Sequence, residues 1–74
     1  MFLEQLTFQV EGMKCEHCAK KVKEALCIID GIKKVKVNLE KKEVTVFYKK
    51  NQLVLVEDLK GAVENLGYEY GGVL

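Results

Sequence analysis

Two cysteines stand in the stretch of sequence that decides the fold, which reads Val10-Glu11-Gly12-Met13-Lys14-Cys15-Glu16-His17-Cys18-Ala19. The residues before this stretch alternate between apolar and polar, as in a strand, and the residues after it follow helical spacing. Cys15 and Cys18 are therefore predicted to lie near unpaired backbone N–H groups and the positive end of a helix dipole. This environment favours thiolates, which bind soft metals or exchange disulfides.

The composition is typical of one small globular domain that spans residues 1–74. Of the 74 residues, 49% are hydrophobic and 31% are charged. No apolar run reaches the roughly 18 residues of a membrane span, and the N-terminus lacks a signal-peptide pattern. We therefore expect a soluble, cytoplasmic protein without membrane insertion. In a reducing compartment, its odd set of 3 cysteines indicates catalysis or metal binding rather than structural disulfides.

The charge balance argues against nucleic acid as a partner. The formal net charge is +1, and all 12 basic residues are lysines. Arginine makes the commonest specific contact to guanine and is a favoured phosphate partner. Because the chain has no arginine, nucleic-acid binding is set aside.

The elements on either side of the cysteines follow from periodicity. Alternation from Phe2 to Val10 predicts a strand that ends against Gly12. Helical spacing predicts a first helix that ends near Asp30-Gly31. Its apolar face comprises Cys18, Val22, Ala25, Leu26 and Ile29.

The second half of the chain predicts a hairpin, a helix and a last strand. Alternation over residues 34–39 and 44–48 indicates two strands joined by a charged turn. After a polar connection over residues 49–52, helical spacing over residues 56–66 predicts a second helix. The order is strand, helix, strand, strand, helix, strand, which is the split βαβ plan with two helices on one face of an antiparallel sheet.

Two glycines in this half have predicted roles. Gly67 is predicted to stop the second helix, before a short last strand formed by Tyr68-Glu69-Tyr70. Gly61, inside that helix, costs about 1 kcal/mol relative to alanine. Either tertiary packing overrides this cost, or a neighbouring backbone comes close to Gly61.

Short motifs along the chain carry a resemblance to a known family. They are Gly12-Met13-x-Cys15-x-x-Cys18, Val22 with Leu26, Gly31-Ile32, Val37-Asn38-Leu39 and Gly67-Tyr68. With this element order and length, the chain resembles the heavy-metal-associated domain family, and within it the small bacterial copper chaperones. The resemblance extends from Phe2 to Tyr70. One departure is Lys14, where relatives often have serine or threonine.

The resemblance implies both a fold and a function. The fold is an α+β ferredoxin-like βαββαβ sandwich, with a four-stranded antiparallel sheet. The function is to carry Cu(I) between the sulfurs of Cys15 and Cys18 and to pass it to a similar metal-binding domain of a membrane P-type copper ATPase. A metal-bridged homodimer is a further assembly that such a site allows.

The residues themselves favour Cu(I) as the cargo. Cu(I) is soft and accepts two thiolate ligands, whereas zinc normally takes four ligands. Helix geometry places Cys27 about half a turn from the apolar face, where it is expected to be an exposed thiol out of reach of the metal. Hg(II), Zn(II) and Cd(II) stay open as alternatives, because Glu16 or another carboxylate could complete a harder site.

Four residues are predicted to support the cysteine pair. Gly12 allows a sharp turn out of the first strand, and Met13 packs inward and holds the loop on the core. His17 is either a third ligand or a solvated loop residue. Tyr68, which the resemblance places close to the metal, is either a supporting residue or a core aromatic. Of the two sulfurs, we expect that of Cys15 to be the more exposed.

Three lysines beside the site indicate electrostatic attraction to a partner protein. Lys20, Lys21 and Lys23 flank the cysteines on the first helix. They are expected to meet an acidic patch on the partner domain and to raise the encounter rate more than the affinity.

Two other functional classes compete with the copper carrier. Thioredoxin-like oxidoreductases also hold Cys-x-x-Cys at a helix start, but they need a cis-proline opposite the cysteines, and this chain has no proline. The other class is a metal-binding module of a heavy-metal ATPase or a mercury reductase. No nucleophile–base group and no phosphate loop is present, so we do not expect an enzyme.

Overall fold

The computed structural model describes residues 3–49 and 54–74. Its elements follow the predicted order, and they are β1 (Leu3–Glu11), α1 (Glu16–Cys27), β2 (Ile32–Asn38), β3 (Glu43–Lys49), α2 (Val56–Asn65) and β4 (Glu69–Val73). Phe2 and residues 50–52 of the predicted connection lie outside the described residues, and Lys49, which was also predicted in that connection, is the last residue of β3. No helix within the described ranges is long and apolar enough to cross a membrane.

The four strands form one antiparallel sheet in the order β2-β3-β1-β4. This is the predicted ferredoxin-like arrangement, in which the first strand is central and the last strand lies beside it. At the end of β1, Val10 pairs with Tyr70 and Glu11 pairs with Glu69. The loop that follows β1 and the residues that precede β4 therefore meet at the same end of the sheet.

Both helices pack on one face of the sheet and enclose the core. Val22 and Leu26 from α1 and Leu59 and Val63 from α2 are each 0% exposed. They pack against inward-facing strand residues in a single cluster, whose buried strand members are Phe8, Val10, Ile32, Val35, Val44 and Val46. Burial of these large apolar side chains is the main stabilising term of so small a domain.

The last strand differs from the prediction at both ends. Tyr68 precedes β4 instead of beginning it, and the strand continues through Gly71 and Gly72 to Val73. Glycine is depleted in strands, so the Gly71-Gly72 pair does not predict this extension. A Cβ on Gly71 would lie 2.9 Å from the Cβ of Gln9, where the register of the β1–β4 pair shifts. The glycine is needed because two backbones approach closely at this irregularity.

The first helix and second strand also shift by a few residues. α1 begins at Glu16, two residues before Cys18, the first residue of the predicted apolar face, and it ends at Cys27 rather than near Asp30. β2 begins at Ile32, two residues before the predicted strand. The register shifts between Ile32 and Lys34, so the buried residues Ile32 and Val35 are three apart and escape a search for strict alternation.

Gly61 has no close neighbour that would explain it. No atom of the described residues outside the local helix backbone lies within 4 Å of where its Cβ would stand. The expectation that a neighbouring backbone comes close is therefore wrong within this part of the chain. The alternative explanation, that tertiary packing of α2 overrides the helix propensity, is retained.

Candidate metal-binding site

The loop between β1 and α1 is shaped by Gly12 and held by Met13. Gly12 has φ +102°, a left-handed conformation that glycine adopts without strain. The next side chain, Met13, is 8% exposed and belongs to the core cluster. The prediction that Met13 packs inward is confirmed. The loop is thus attached to the core immediately before the first cysteine.

The two cysteines occupy different positions at the start of α1. Cys15 is the N-cap residue with an extended backbone, and its carbonyl accepts a hydrogen bond of 3.2 Å from the Ala19 amide. Its side chain is exposed, whereas Cys18, in the first turn, is half-buried and packs against the core cluster. As predicted, Cys15 has the more accessible sulfur and Cys18 the better anchored one.

The sulfurs of this pair face each other across a short gap. The Sγ atoms of Cys15 and Cys18 are 4.0 Å apart, and both residues are free thiols. Zinc–thiolate bonds measure about 2.3 Å, so one bridging ion of similar size needs two sulfurs at about this separation. The pair can hold a single soft metal ion with little movement.

Tyr68 reaches the site because α2 ends in a Schellman motif. Gly67 has φ +91°, and its amide donates to the Glu64 carbonyl over 2.9 Å. The Tyr68 amide donates to the Val63 carbonyl over 3.3 Å. The half-buried Tyr68 ring then lies against the core, and its hydroxyl helps to lower the pKa of the Cys18 thiol. The ring thus contacts the core, as one of the two alternatives for Tyr68 predicts, and a supporting role of its hydroxyl at the cysteine pair stays a prediction.

These contacts favour the anionic form of Cys18. Hydrogen bonding with the Tyr68 hydroxyl has the largest effect, followed by a backbone hydrogen bond from Lys14, and together with contacts to Cys15 they lower the pKa of the Cys18 thiol to about 7. Partial desolvation opposes this shift. The same hydrogen bond with Cys18 raises the pKa of Tyr68 above its ordinary value. With a pKa of about 7, roughly half of Cys18 is thiolate at neutral pH, while Tyr68 stays protonated.

The remaining candidate residues lie around the pair without joining it. His17 is exposed, as are Lys20, Lys21 and Lys23 on α1. Cys27 is an exposed thiol at the far end of α1, as helix geometry predicts. Across residues 3–49 and 54–74, no group of three or more histidine, cysteine or acidic side chains is arranged to hold a metal ion. The geometry thus gives a two-sulfur site.

Two features of the site were missed by sequence reasoning. One is the lowering of the pKa of Cys18 by the Lys14 backbone, for which the sequence has no signal because any residue provides a backbone amide. The other is a contact between Gly12 and the Tyr68 ring, since a Cβ on Gly12 would lie 3.2 Å from the Tyr68 Cδ1 atom. Periodicity describes local structure and does not report contacts between distant segments.

Comparison with known proteins agrees with this architecture. Residues 7–69 match the family model of the heavy-metal-associated domain. The chain belongs to the heavy-metal-associated domain family. The matched region contains the cysteine loop, both helices and Tyr68, so the family assignment covers every part of the candidate site.

Relatives of this heavy-metal-associated domain include copper chaperones. The chain is 43% identical over 67 residues to the copper chaperone CopZ of Bacillus subtilis (strain 168), covering 90% of this chain and 96% of that protein. A solved CopZ metallochaperone is 42% identical with a TM-score of 0.84, covering 90% of this chain and 98% of the other.

A transporter domain is similar as well. The N-terminal domain of a potential copper-translocating P-type ATPase from Bacillus subtilis, solved in the Cu(I)-loaded state, has a TM-score of 0.83 and 36% identity. The match covers 99% of this chain and 92% of that domain. The same fold therefore occurs in a copper metallochaperone and in a domain of an ATPase.

Proposed function

We propose that this heavy-metal-associated domain is a soluble cytoplasmic metallochaperone that binds Cu(I) between the thiolates of Cys15 and Cys18. The observation that carries the proposal is the facing pair of sulfurs, 4.0 Å apart on an exposed loop. Two thiolates at this spacing suit a soft ion of low coordination number, whereas a structural zinc site needs four ligands. The similarity to copper chaperones supports copper over Hg(II), Zn(II) or Cd(II).

The unequal exposure of the sulfurs supports transfer by ligand exchange. A thiolate of the receiving domain forms a bond to Cu(I) first, on the open side of the site. The bond to the exposed Cys15 sulfur then breaks, and the bond to the anchored Cys18 sulfur breaks last. Copper stays Cu(I) throughout, so no redox partner is required, and the protein acts as a carrier rather than an enzyme.

The proposed receiver is a metal-binding domain of a membrane P-type copper ATPase. The similarity to a Cu(I)-loaded ATPase domain supports this choice, because a receiver with the same loop can present its own cysteines in matching geometry. The exposed Lys20, Lys21 and Lys23 would face an acidic patch on that domain and speed the encounter. A metal-bridged homodimer would use the same open site.

An anaerobic metal titration tests the cargo and the ligands together. Wild-type protein is expected to retain Cu(I) against a competing chelator and to prefer Cu(I) to Zn(II). The double variant Cys15→Ser/Cys18→Ser is expected to lose this binding, whereas the control Cys27→Ser retains it because Cys27 lies at the far end of α1. A preference for Zn(II), or unchanged Cu(I) binding in the double variant, would contradict the proposal.

His17 is tested in the same assay. Its side chain is exposed and belongs to no three-residue ligand group among the described residues. His17→Ala is expected to leave Cu(I) affinity unchanged between about pH 6 and 8, a range that spans the ordinary histidine pKa. A drop in affinity confined to the upper part of this range would assign His17 as a third ligand.

A second candidate function is a metal-binding module of a copper ATPase. The 36% identity to an ATPase N-terminal domain favours it, because the fold is the same in both settings. An antibody against this domain separates the two functions in fractionated source cells. A soluble species the size of this chain supports the chaperone, and a large membrane-bound species supports the module.

A further inference from the structure

A groove runs between α1 and β2 on the side of the domain where the sheet ends. β2 is an edge strand, because among the described strands it pairs with β3 alone. Along such an edge, alternate residues point their N–H and C=O groups outward, where another extended chain can pair with them. The groove therefore contains a pairing edge that no described strand of the chain occupies.

The groove carries a surplus of positive charge. Four lysines line it, against the two glutamates Glu16 and Glu24. All four lysines are exposed, and they are Lys20 and Lys23 of α1 and Lys34 and Lys36 of β2. β2 itself contains no acidic residue. The charges therefore favour an acidic occupant and disfavour a basic one.

The two faces of β2 differ, and this difference fixes the pattern that an added strand needs. Val35 is 1% exposed and Val37 is half-buried against the core that the helices cover. Lys34 and Lys36 alternate with these valines and are exposed on the other face. A strand beside β2 would place alternate side chains near the valines and the others near the lysines. Alternating apolar and acidic residues suit these two environments.

Charge also argues against a second copy of this chain as the occupant. A twofold antiparallel pairing of β2 with itself, centred on Val35, would set Lys34 of each copy opposite Lys36 of the other. Like charges directly opposite each other destabilise a strand pair, and lysines on edge strands commonly prevent such self-association. The same lysines attract an acidic strand.

We propose that the groove between α1 and β2 binds an extended segment of a partner protein in which acidic and apolar residues alternate, and that this segment pairs with β2 as an additional strand. Backbone hydrogen bonds to β2 supply affinity, and the alternating side chains supply selectivity. No metal takes part, so the inference goes beyond the proposed function and does not depend on it. Lys20 and Lys23 also belong to the proposed encounter surface for the ATPase domain, whereas Lys34 and Lys36 do not.

A synthetic peptide tests this site on the metal-free protein under reducing conditions. The probe is a capped seven-residue peptide of alternating glutamate and valine, which matches the length of β2. In an amide NMR titration, the largest shift changes are expected at β2 and at the side of α1 that faces it. Amides on the free edge of β2 are expected to exchange more slowly with solvent when the peptide is bound.

Three results of this titration would overturn the proposal. The first is an absence of binding at about 1 mM peptide. The second is binding without slower amide exchange in β2, which would exclude strand pairing. The third is a concentration-dependent shift of the β2 amides in the absence of peptide, which would make a second copy of the chain the occupant.

Two control peptides separate strand pairing from simple charge attraction. Replacing the valines by proline keeps the charge but removes backbone donors, and replacing the glutamates by lysine reverses the charge. Both peptides are expected to bind at least about fivefold more weakly than the probe. Equal binding of either control would contradict the proposal, because the first would show that pairing is not needed and the second that charge is not.

Charge reversal on the protein tests the lysines of the groove. Lys34→Glu/Lys36→Glu is expected to bind the glutamate peptide at least about fivefold more weakly and to gain binding of the lysine peptide, which also shows that the variant is folded. The control Lys41→Glu/Lys60→Glu has the same net charge, with both substitutions at exposed positions outside the groove, and is expected to bind like wild type. Equal weakening in both variants, or no gain of the lysine peptide, would overturn the assignment.

Discussion

Single side chains set the chemistry of the cysteine pair. Tyr68 has the largest effect on Cys18 because its hydroxyl stabilises the thiolate, and the Lys14 backbone adds to this effect. The other cysteine is exposed at the N-cap. The Cys18 thiol therefore has a lowered pKa and is half-buried, while the Cys15 thiol is open to incoming ligands.

Removing the Tyr68 hydroxyl is expected to raise the pKa of Cys18 above about 7. A hydrogen bond that lowers a thiol pKa stabilises the thiolate, so its loss moves the thiolate to higher pH. Alkylation of Cys18 by iodoacetamide, resolved by tandem mass spectrometry across pH 5 to 10, is expected to show a higher midpoint in Tyr68→Phe. Because the more basic thiolate is also more nucleophilic, the rate at pH 7 falls by only up to about threefold.

Tyr70→Phe is the matched control for this measurement. Tyr70 also lies at the start of β4, but its ring packs against Phe8 with centroids 5.4 Å apart. The midpoint for Cys18 should stay at its wild-type value in this variant. An equal shift in both variants would assign the effect to the sheet as a whole rather than to the Tyr68 hydroxyl.

Among the elements, α2 contains one glycine that destabilises the helix, Gly61, and is followed by one that its C-terminal turn requires, Gly67. Gly61 lies inside the helix with open space where a side chain would stand among the described residues. Gly67 lies just beyond the C-cap residue Leu66, with φ +91°. The same substitution therefore has opposite consequences at two positions six residues apart along one helix and its cap.

Gly61→Ala is expected to stabilise the protein by about 0.5 to 1 kcal/mol, because alanine loses less backbone entropy on forming a helix. Gly67→Ala is expected to destabilise it by about 1 kcal/mol or more, since alanine is strained at positive φ. The free energy of unfolding of each variant is measured by urea denaturation, followed by circular dichroism. Destabilisation by Gly61→Ala would mean that the space beside α2 is filled in solution.

Most of the fold could be predicted from the sequence, because buried faces leave clear periodicities. Both helices, the hairpin and the order of the elements along the chain follow from apolar residues at spacings of two or of three to four. Predictions failed where the backbone departs from regular geometry. The register shift at Ile32 hid the start of β2, and Gly71-Gly72 hid the end of β4.

The candidate site was predictable to a similar extent. The cysteines and the burial of Met13 follow from local sequence. The lowering of the pKa of Cys18 by Tyr68 does not follow from local sequence, because the two residues belong to segments that only the β1–β4 pairing brings together.

For the whole molecule, one small core supports both halves of the site. A domain of 74 residues has a free energy of unfolding of about 4 to 11 kcal/mol at typical values per residue. Loss of one large core side chain removes much of that stability. Because Met13 of the cysteine loop and Tyr68 both pack against this core, the loss of a core side chain would also make the site less ordered.

Leu26→Ala is expected to cost about 2 to 5 kcal/mol, because Leu26 is 0% exposed between α1 and the sheet. Ile28→Ala, two residues further along, is the matched control. Ile28 is 83% exposed, so its truncation should change the free energy of unfolding by less than about 0.5 kcal/mol. Similar losses in both variants would contradict the packing of α1 described above.

The exposed lysines of α1 are expected to raise the rate at which the protein meets its proposed partner. Reversing Lys20, Lys21 and Lys23 to glutamate is expected to slow Cu(I) transfer to an isolated ATPase metal-binding domain about tenfold or more at low salt. The difference should shrink as ionic strength rises, because screening shortens the range of the interaction. Lys60→Glu, on the exposed surface of α2, is the control. Transfer that is independent of salt would exclude docking through these lysines.

The adjacency of β1 and β4 also has a consequence during protein synthesis. The cysteine loop leaves the ribosome early, whereas Tyr68 and the strand that places it are made near the end of the described chain. Contacts between such distant segments form late in folding. A nascent chain therefore presents both thiols before Tyr68 can reach Cys18. During that interval the pKa of Cys18 is not yet lowered by Tyr68, so the unfinished chain presents mostly protonated thiols at neutral pH.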